Sequence, residues 1–600
     1  MRDSKDNLTT RKILWCVGVL LLWLPASARD IKGVAVTVEP FDRFNRTFHG
    51  YVEYRVRLKN HSVSDEKQIE LRYPEESYQN GNCISSLNKA VVLRPDTEVV
   101  VSLFQPPLAI PGQGQLAVTV DGEDDLVDMP IQSHGLSDMR WRRSTGPYPC
   151  LLLSRGLSSE MIQAVETEYK SLGGTSRSGG RSSSSVTYEV KRSEIDVAQW
   201  SGQWLGYSRY DGVFLSGQEF QMAPSHVRDA LTRMVECGGI LVVVGPWQMP
   251  SAWQRFSEIQ AGVPAYHVGF GLCYHVSESD PTLWNKALWR HMRSKWQSHA
   301  QFRSAMSTPE DANRAFPVVD SLAVPARGIF LLMLVFAILI GPVNVFFFSK
   351  RGKRMRLFWT VPLVSLLTSG VVFAYSILSE GITNRIRLAG VTILDQANHH
   401  AITEGWLGYY CPLTPGGGLV FDTQTELLPQ VGMNNWRDSG RARSVVWSDR
   451  QTLDDGWIVS RIPSHFTVRR NETRRERLVL RHDTDGRLYA TNSLGARVKR
   501  LWLADTRGKV YRSEEIATGQ SRELTKNTAW TQTRAAPGAC QEEARRWYGH
   551  IEQIDRHVRE LLRPGTYVAQ LDSNPFMEQG LKTGEVMQAD CIVIGIMEEN

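Results

Sequence analysis

Residues 328–348 read GIFLLMLVFAILIGPVNVFFF, residues 349–356 read SKRGKRMR, and residues 357–378 read LFWTVPLVSLLTSGVVFAYSIL. Neither apolar piece carries a charge. As helices rising about 1.5 Å per residue, each would span about 30 Å, the thickness of a bilayer's hydrocarbon core. Lys350, Arg351, Lys353, Arg354 and Arg356 crowd the turn between them, and the positive-inside rule places such a turn on the cytoplasmic side. The expectation is a transmembrane helical hairpin over 327–379, with a cytoplasmic loop at 349–356. The chain would then be a two-pass protein of the inner (cytoplasmic) membrane with both large lobes periplasmic. Neither expected span contains a charged residue, so the hairpin reads as an anchor and docking surface rather than an ion or substrate path.

The N-terminus agrees with that topology. Arg11 and Lys12 precede the apolar run Ile13 to Leu24, and Ala26-Ser27-Ala28 offers a small-residue cleavage site. This is the pattern of a signal peptide over residues 1–28. Composition is otherwise that of ordinary globular domains, with 22% charged and 42% hydrophobic residues. A net charge of +6 is modest once the five loop cations are set aside, so nothing marks a nucleic-acid-binding face. The eight cysteines are scattered singly with no C-x-x-C pair, which removes the usual spacing for zinc or thioredoxin-type chemistry. No cofactor or metal is expected, and His399-His400 has no spaced second ligand set.

Residues 30–125 read as a small immunoglobulin-like β-sandwich. Gly50 to Leu58, Glu98 to Leu103 and Gln115 to Val120 alternate apolar and polar side chains between Gly and Pro turns. From 145 to 300 the grammar changes to alternating strand and helix. Cys150 to Ser154 is a short buried strand, and Ser158 caps a helix carrying Met161, Ile162, Val165 and Tyr169 on one side. Gly173 to Ser185 reads as a Gly/Ser loop. Tyr210 to Ser216 is a strand, a helix runs through Val235, and Ile240 to Gly245 is a buried strand of parallel type.

Tyr210-Asp211-Gly-Val-Phe-Leu-Ser216, the helix ending at Val235, Gly238-Gly239-Ile-Leu-Val-Val-Val-Gly245 and the later Gly269-Phe270-Gly271 resemble class I glutamine-amidotransferase-like domains. Such domains occur in large bacterial membrane proteins of unknown function. The resemblance implies a flavodoxin-like α/β domain, and its relatives imply partnership with other envelope membrane proteins and an ATPase-driven system. A working amidotransferase needs a cysteine on a tight strand-to-helix turn with a histidine in reach. Here that turn is Gly245-Pro246-Trp247; Cys237 lies ahead of the strand and Ser216 lacks the G-x-S-x-G frame. The expectation is therefore an amidotransferase-like fold without its triad.

Trp200, Trp204, Tyr207 and Trp247 are the candidate ligand-binding residues, as aromatics near the carboxyl ends of parallel strands; packing inside the core is the competing reading. Pro281 to Trp296 has helical spacing. Residues 383–600 read as a β-rich domain with a helix from Cys540 to Leu562, and the run Arg469, Arg470, Arg474, Arg475, Arg477 and Arg481 as a solvated strand face. Taken together, the fold class is a multidomain membrane protein: β-sandwich, α/β domain, two transmembrane helices, β-rich domain. The function expected is a non-enzymatic scaffold, sensor or accessory subunit of an envelope complex. An exported carbohydrate- or peptide-binding module and an exported hydrolase or amidase are the alternatives.

Overall fold

The computed structural model describes residues 29–40, 49–73, 83–107, 115–128, 149–171, 190–302, 309–319, 326–343, 346, 357–380, 383–430, 442–527 and 562–598. The expected signal peptide, the Gly/Ser loop, the helix expected from Cys540 (apart from its last residue, Leu562) and the cations Lys350, Arg351, Lys353, Arg354 and Arg356 fall outside them.

The apolar stretch does not form the expected pair of spans. Among the described residues no helix is long and apolar enough to cross a membrane. The first piece is α-helical over Ala326–Ile338 (13 residues) and then widens into a π-turn, Leu339–Val343, around Gly341-Pro342. Pro342 has no amide donor and its ring crowds the preceding turn, so regular bonding stops there. The second piece is a helix over Leu357–Glu380 with Pro362 inside it. The first helix rises about 20 Å, short of an apolar slab of about 30 Å. The two-pass inner-membrane placement and the membrane fold class are corrected accordingly. The described residues are β-rich, with 45% strand against 23% helix, arranged in several sheets.

At the N-terminal end, Arg29–Ile31, Val34–Pro40, Val52–Asn60 and Glu98–Gln105 form an antiparallel sheet in that order. The facing sheet is not built from this segment alone. Its strands Cys83–Leu93, Lys67–Tyr73, Gln115–Val120 and Glu123–Asp128 are extended by Ala442–Trp447, Gln451–Leu453 and Leu419–Phe421. Ala442–Trp447 runs parallel to Cys83–Leu93 with Trp447 opposite Lys89. The segment 383–600 therefore does not stand apart: part of it completes the first sandwich. Its remainder forms a nine-stranded sheet around the long pair Arg385–Asp395 and His400–Tyr410, plus a three-stranded sheet.

The α/β sheet has the order Val190–Arg192, Leu151–Leu153, Gly212–Ser216, Ile240–Val244, Gly271–Val276, all parallel. Val263–Val268 and Ser257–Gln260 add antiparallel strands at one edge. In chain order the parallel strands run 2-1-3-4-5, the doubly wound flavodoxin-type arrangement. Ser158 caps the helix Ser159–Lys170 by accepting from the Met161 amide, and Met161, Val165 and Tyr169 are buried beneath it. The last helix on that face, Lys286–Phe302, buries Leu288, Met292 and Trp296 at four-residue spacing. One continuous core joins side chains from the N-terminal sandwich, the α/β domain and the distal segment.

His465 marks where the short helix Pro309–Ala315 leads into that body. It lies on strand Ser464–Thr473, is 2% exposed, and donates from Nε2 to the Phe316 carbonyl at 2.8 Å. Burial lowers its pKa from 6.5 to about 4. The unfolded imidazole takes a proton near 6.5 and the folded one only near 4, so His465's contribution to stability is full above 6.5. It falls as pH drops through that window and levels off below 4. The expected loss is at most about 3 kcal/mol, read as the wild-type minus His465→Gln difference in urea midpoints between pH 7 and pH 4. Parallel midpoint curves for the two proteins would reject it.

Candidate functional site

In a doubly wound sheet, ligands bind outside the carboxyl ends of the strands where the strand order reverses. Here that point lies between Leu151–Leu153 and Gly212–Ser216. Ser154 Oγ donates to Glu219 Oε2 at 2.6 Å and Ser216 Oγ donates to the same oxygen at 2.9 Å. The amides of Ser216 (3.0 Å) and Gly156 (2.9 Å) donate to the same carboxylate. Ser216 and Glu219 thus form the capping box of the helix Gly217–Met222, and the polar groups of the crevice are spent on one another. At the next turn Gly245 has φ +84°, a conformation that favours glycine, and His275 Nε2 lies 3.1 Å from the Gly245 carbonyl. Trp247 fills the turn, edge-on to Phe220, Trp253 and His275 at 5.2–5.8 Å between ring centres.

The other sequence-predicted aromatics do not line this crevice. Trp200, Trp204 and Tyr207 are 2%, 1% and 0% exposed. Trp200 Nε1 donates to Ser193 Oγ at 3.0 Å and Tyr207 OH to the Ser201 carbonyl at 2.6 Å. Trp204 donates to the Gln424 carbonyl at 3.0 Å, across to the distal segment. Their apolar area is turned into a joint between segments, which is why no ligand face remains.

Arg469 sits at the centre of that joint. It pairs with Glu426, donates to the Cys237 carbonyl (2.9 Å) and the Ser208 carbonyl (3.3 Å), and lies 5.5 Å over the Trp204 ring. Burial works against its charge, but Glu426 outweighs burial and the guanidinium pKa rises. The solvated basic face holds for Arg475, Arg477 and Arg481, which are exposed, and is corrected for the other three. Arg469 is buried, Arg470 pairs with Glu472 and Glu578, and Arg474 pairs with Glu472 and Glu476. Alternation with leucines reports one strand's two faces, and both faces of Ser464–Thr473 are covered. Cys237 is 1% exposed at the end of the helix Ser225–Glu236. The sequence carries N-x-S/T sequons at Asn45, Asn60 and Asn471; Asn60 and Asn471 are 0% and 1% exposed, inside the body, and Asn45 lies outside the described residues.

At the opposite, amino end of the parallel strands, three residues that the sequence did not single out as a site meet. His49 Nε2 lies 3.1 Å from Asp211 Oδ1 and 3.2 Å from Oδ2, and His299 Nδ1 lies 2.5 Å from Oδ1. The Cys150 amide donates to Asp211 Oδ2 at 2.7 Å. All three side chains are at most 3% exposed. Burial alone would raise the Asp211 carboxyl pKa, but the two imidazoles beside it hold it far below the usual carboxylate range. Each arrives from a different part of the chain. His49 precedes strand Val52–Asn60, Asp211 immediately precedes Gly212–Ser216, and His299 lies in the last turn of Lys286–Phe302. Gly50, at φ +69°, lets the chain press against the Ser208–Arg209 backbone where a Cβ would overlap it, and the Tyr51 amide donates to Ser208 Oγ at 2.8 Å. That clamp aims His49 at Asp211. Among the described residues this is the one group with metal-ligand geometry. The His399-His400 pair is elsewhere: His400 Nδ1 faces Glu236 at 3.6 Å, and that carboxylate raises its pKa.

A scan against protein-family models and a search of curated proteins give no match to this chain.

Proposed function

We propose that this chain is a non-enzymatic scaffold, acting as an accessory or sensor subunit that holds several surfaces in fixed relation within a larger assembly. The observation that carries the reading is the Arg469 joint. Side chains and carbonyls from the α/β domain and the distal sheet converge on one buried guanidinium, while distal strands complete the first sandwich. A body knit in this way resists the domain closure on which many enzymes depend, and its doubly wound crevice is filled by its own Ser154, Ser216 and Glu219. The amidotransferase-like resemblance fits such a role as a fold reused without its chemistry. The partner implied by that resemblance is an ATPase-driven system.

Two measurements test the reading. Crosslinking in native cells followed by mass analysis is expected to return a complex of fixed stoichiometry containing an ATPase subunit, weakened by Arg469→Ala. A chain that migrates as a lone monomer under the same conditions would overturn it. An electrophilic thiol or serine probe is expected to leave Cys237 and Ser216 of the folded protein unmodified, because one is buried and the other is held in the capping box. Stoichiometric labelling of either residue would return the chain to the hydrolase class.

A further inference from the structure

We propose that His49, Asp211 and His299 form a binding site for a divalent transition-metal ion, with zinc as the ion best matched to the donors. Two imidazoles and one carboxylate are the ligand types zinc prefers when thiolates are absent. The candidate ligand atoms are His49 Nε2, a carboxylate oxygen of Asp211 and His299 Nδ1, all within 4.8 Å of one another and all buried. Around a tetrahedral zinc with bonds of about 2.1 Å, neighbouring ligand atoms stand roughly 3.4 Å apart. The His49 separations of 3.1 and 3.2 Å are close to that, and His299 at 2.5 Å from Asp211 Oδ1 needs to withdraw by less than about 1 Å. The Cys150 amide, donating to Asp211 Oδ2, gives the carboxylate the second-shell support typical of metal ligands.

Coordination uses the lone pairs of the two ring nitrogens that now face the carboxylate. A proton held on either nitrogen must move to the other nitrogen of its ring or leave for solvent, and Asp211 enters ionised. Three protein ligands leave one position for water. The consequence is mechanical: the ion ties the segment ahead of Val52–Asn60, the start of Gly212–Ser216 and the end of Lys286–Phe302 to a single point. The inference does not depend on the scaffold reading.

The test uses the full chain purified without chelator, assayed for metals by plasma mass spectrometry. It is then stripped with EDTA and titrated with Zn2+ and with Co2+. About one zinc per chain is expected, with a Co2+ visible spectrum of the low-coordinate nitrogen/oxygen type and proton release on binding. His299→Ala and Asp211→Asn are each expected to weaken Zn2+ binding by roughly 100-fold or more, since second-shell changes alone cost 10–100-fold. His400→Ala is the control and is expected to bind as wild type. The Co2+ spectrum of the wild-type chain decides the matter even where a variant fails to fold. A folded wild-type chain that takes up neither ion would overturn the proposal, leaving a hydrogen-bonded His–Asp–His cluster. So would a folded His299→Ala chain that keeps wild-type affinity.

Discussion

Arg469→Ala is expected to destabilise the protein by about 3–5 kcal/mol, the usual cost of removing one partner of a buried ion pair. The substitution leaves Glu426, 3% exposed, without its counter-charge, and it strips a donor from the Cys237 and Ser208 carbonyls. It also uncovers the Trp204 ring on which the guanidinium rests. The double change Arg469→Met with Glu426→Leu removes both charges together and should recover more than half of the loss, because desolvating a pair offsets most of its attraction. Recovery stays incomplete, since the two carbonyls remain without their donor. Urea unfolding of the three proteins is the measurement. Hydrogen exchange at 204–208 and 424–427 shows whether the joint opens ahead of the rest. A cost below about 1 kcal/mol for Arg469→Ala, within the range of an exposed pair, would mean that the joint is not a structural centre.

Trp447→Ala is expected to cost a further about 3–5 kcal/mol in its own right, the range for truncating a large buried aromatic. Trp447 is 2% exposed, donates from Nε1 to the Phe104 carbonyl at 2.8 Å, and packs edge-on against Tyr51 and Phe104. It stands on the distal strand that pairs with Cys83–Leu93. Its loss should therefore loosen the first sandwich, hundreds of residues away in sequence, and limited proteolysis should cut there first. Trp447→Phe keeps an aromatic filler and loses the indole hydrogen bond, so about 1–2 kcal/mol is expected. If Trp447→Ala left the proteolysis pattern of the N-terminal segment unchanged, the parallel pairing would not be what closes that sheet.

How far the elements were legible depends on how local their signals are. The strands Glu98–Gln105 and Gln115–Val120, the cap at Ser158 with its Met161, Val165 and Tyr169 stripe, and the αβ step into Ile240–Val244 all lie where period and capping residues place them. The apolar stretch at 328–378 shows the opposite limit. Its composition is uniform, but Gly341-Pro342 interrupts the helix, so length read from hydropathy overstated the regular α-helix there. The basic run misled in another way. Arg477 and Arg481 are exposed, as their alternation with leucines implies, whereas Arg469, on the preceding strand Ser464–Thr473, is buried. A basic run in one dimension does not record which strand is covered.

The sequence alone determined the local elements and their order, because helix and strand periods, caps and glycine turns act over fewer than about ten residues. It also determined that the turn at Gly245-Pro246-Trp247 carries no nucleophile. Only the tertiary structure decided which distant elements meet. Cys83–Leu93 pairs with Ala442–Trp447, Arg469 reaches Cys237 and Ser208, and His49, Asp211 and His299 share one point. Those contacts join residues 88 to 359 positions apart. They depend on shape and on burying charge in pairs, which no spacing along the chain encodes.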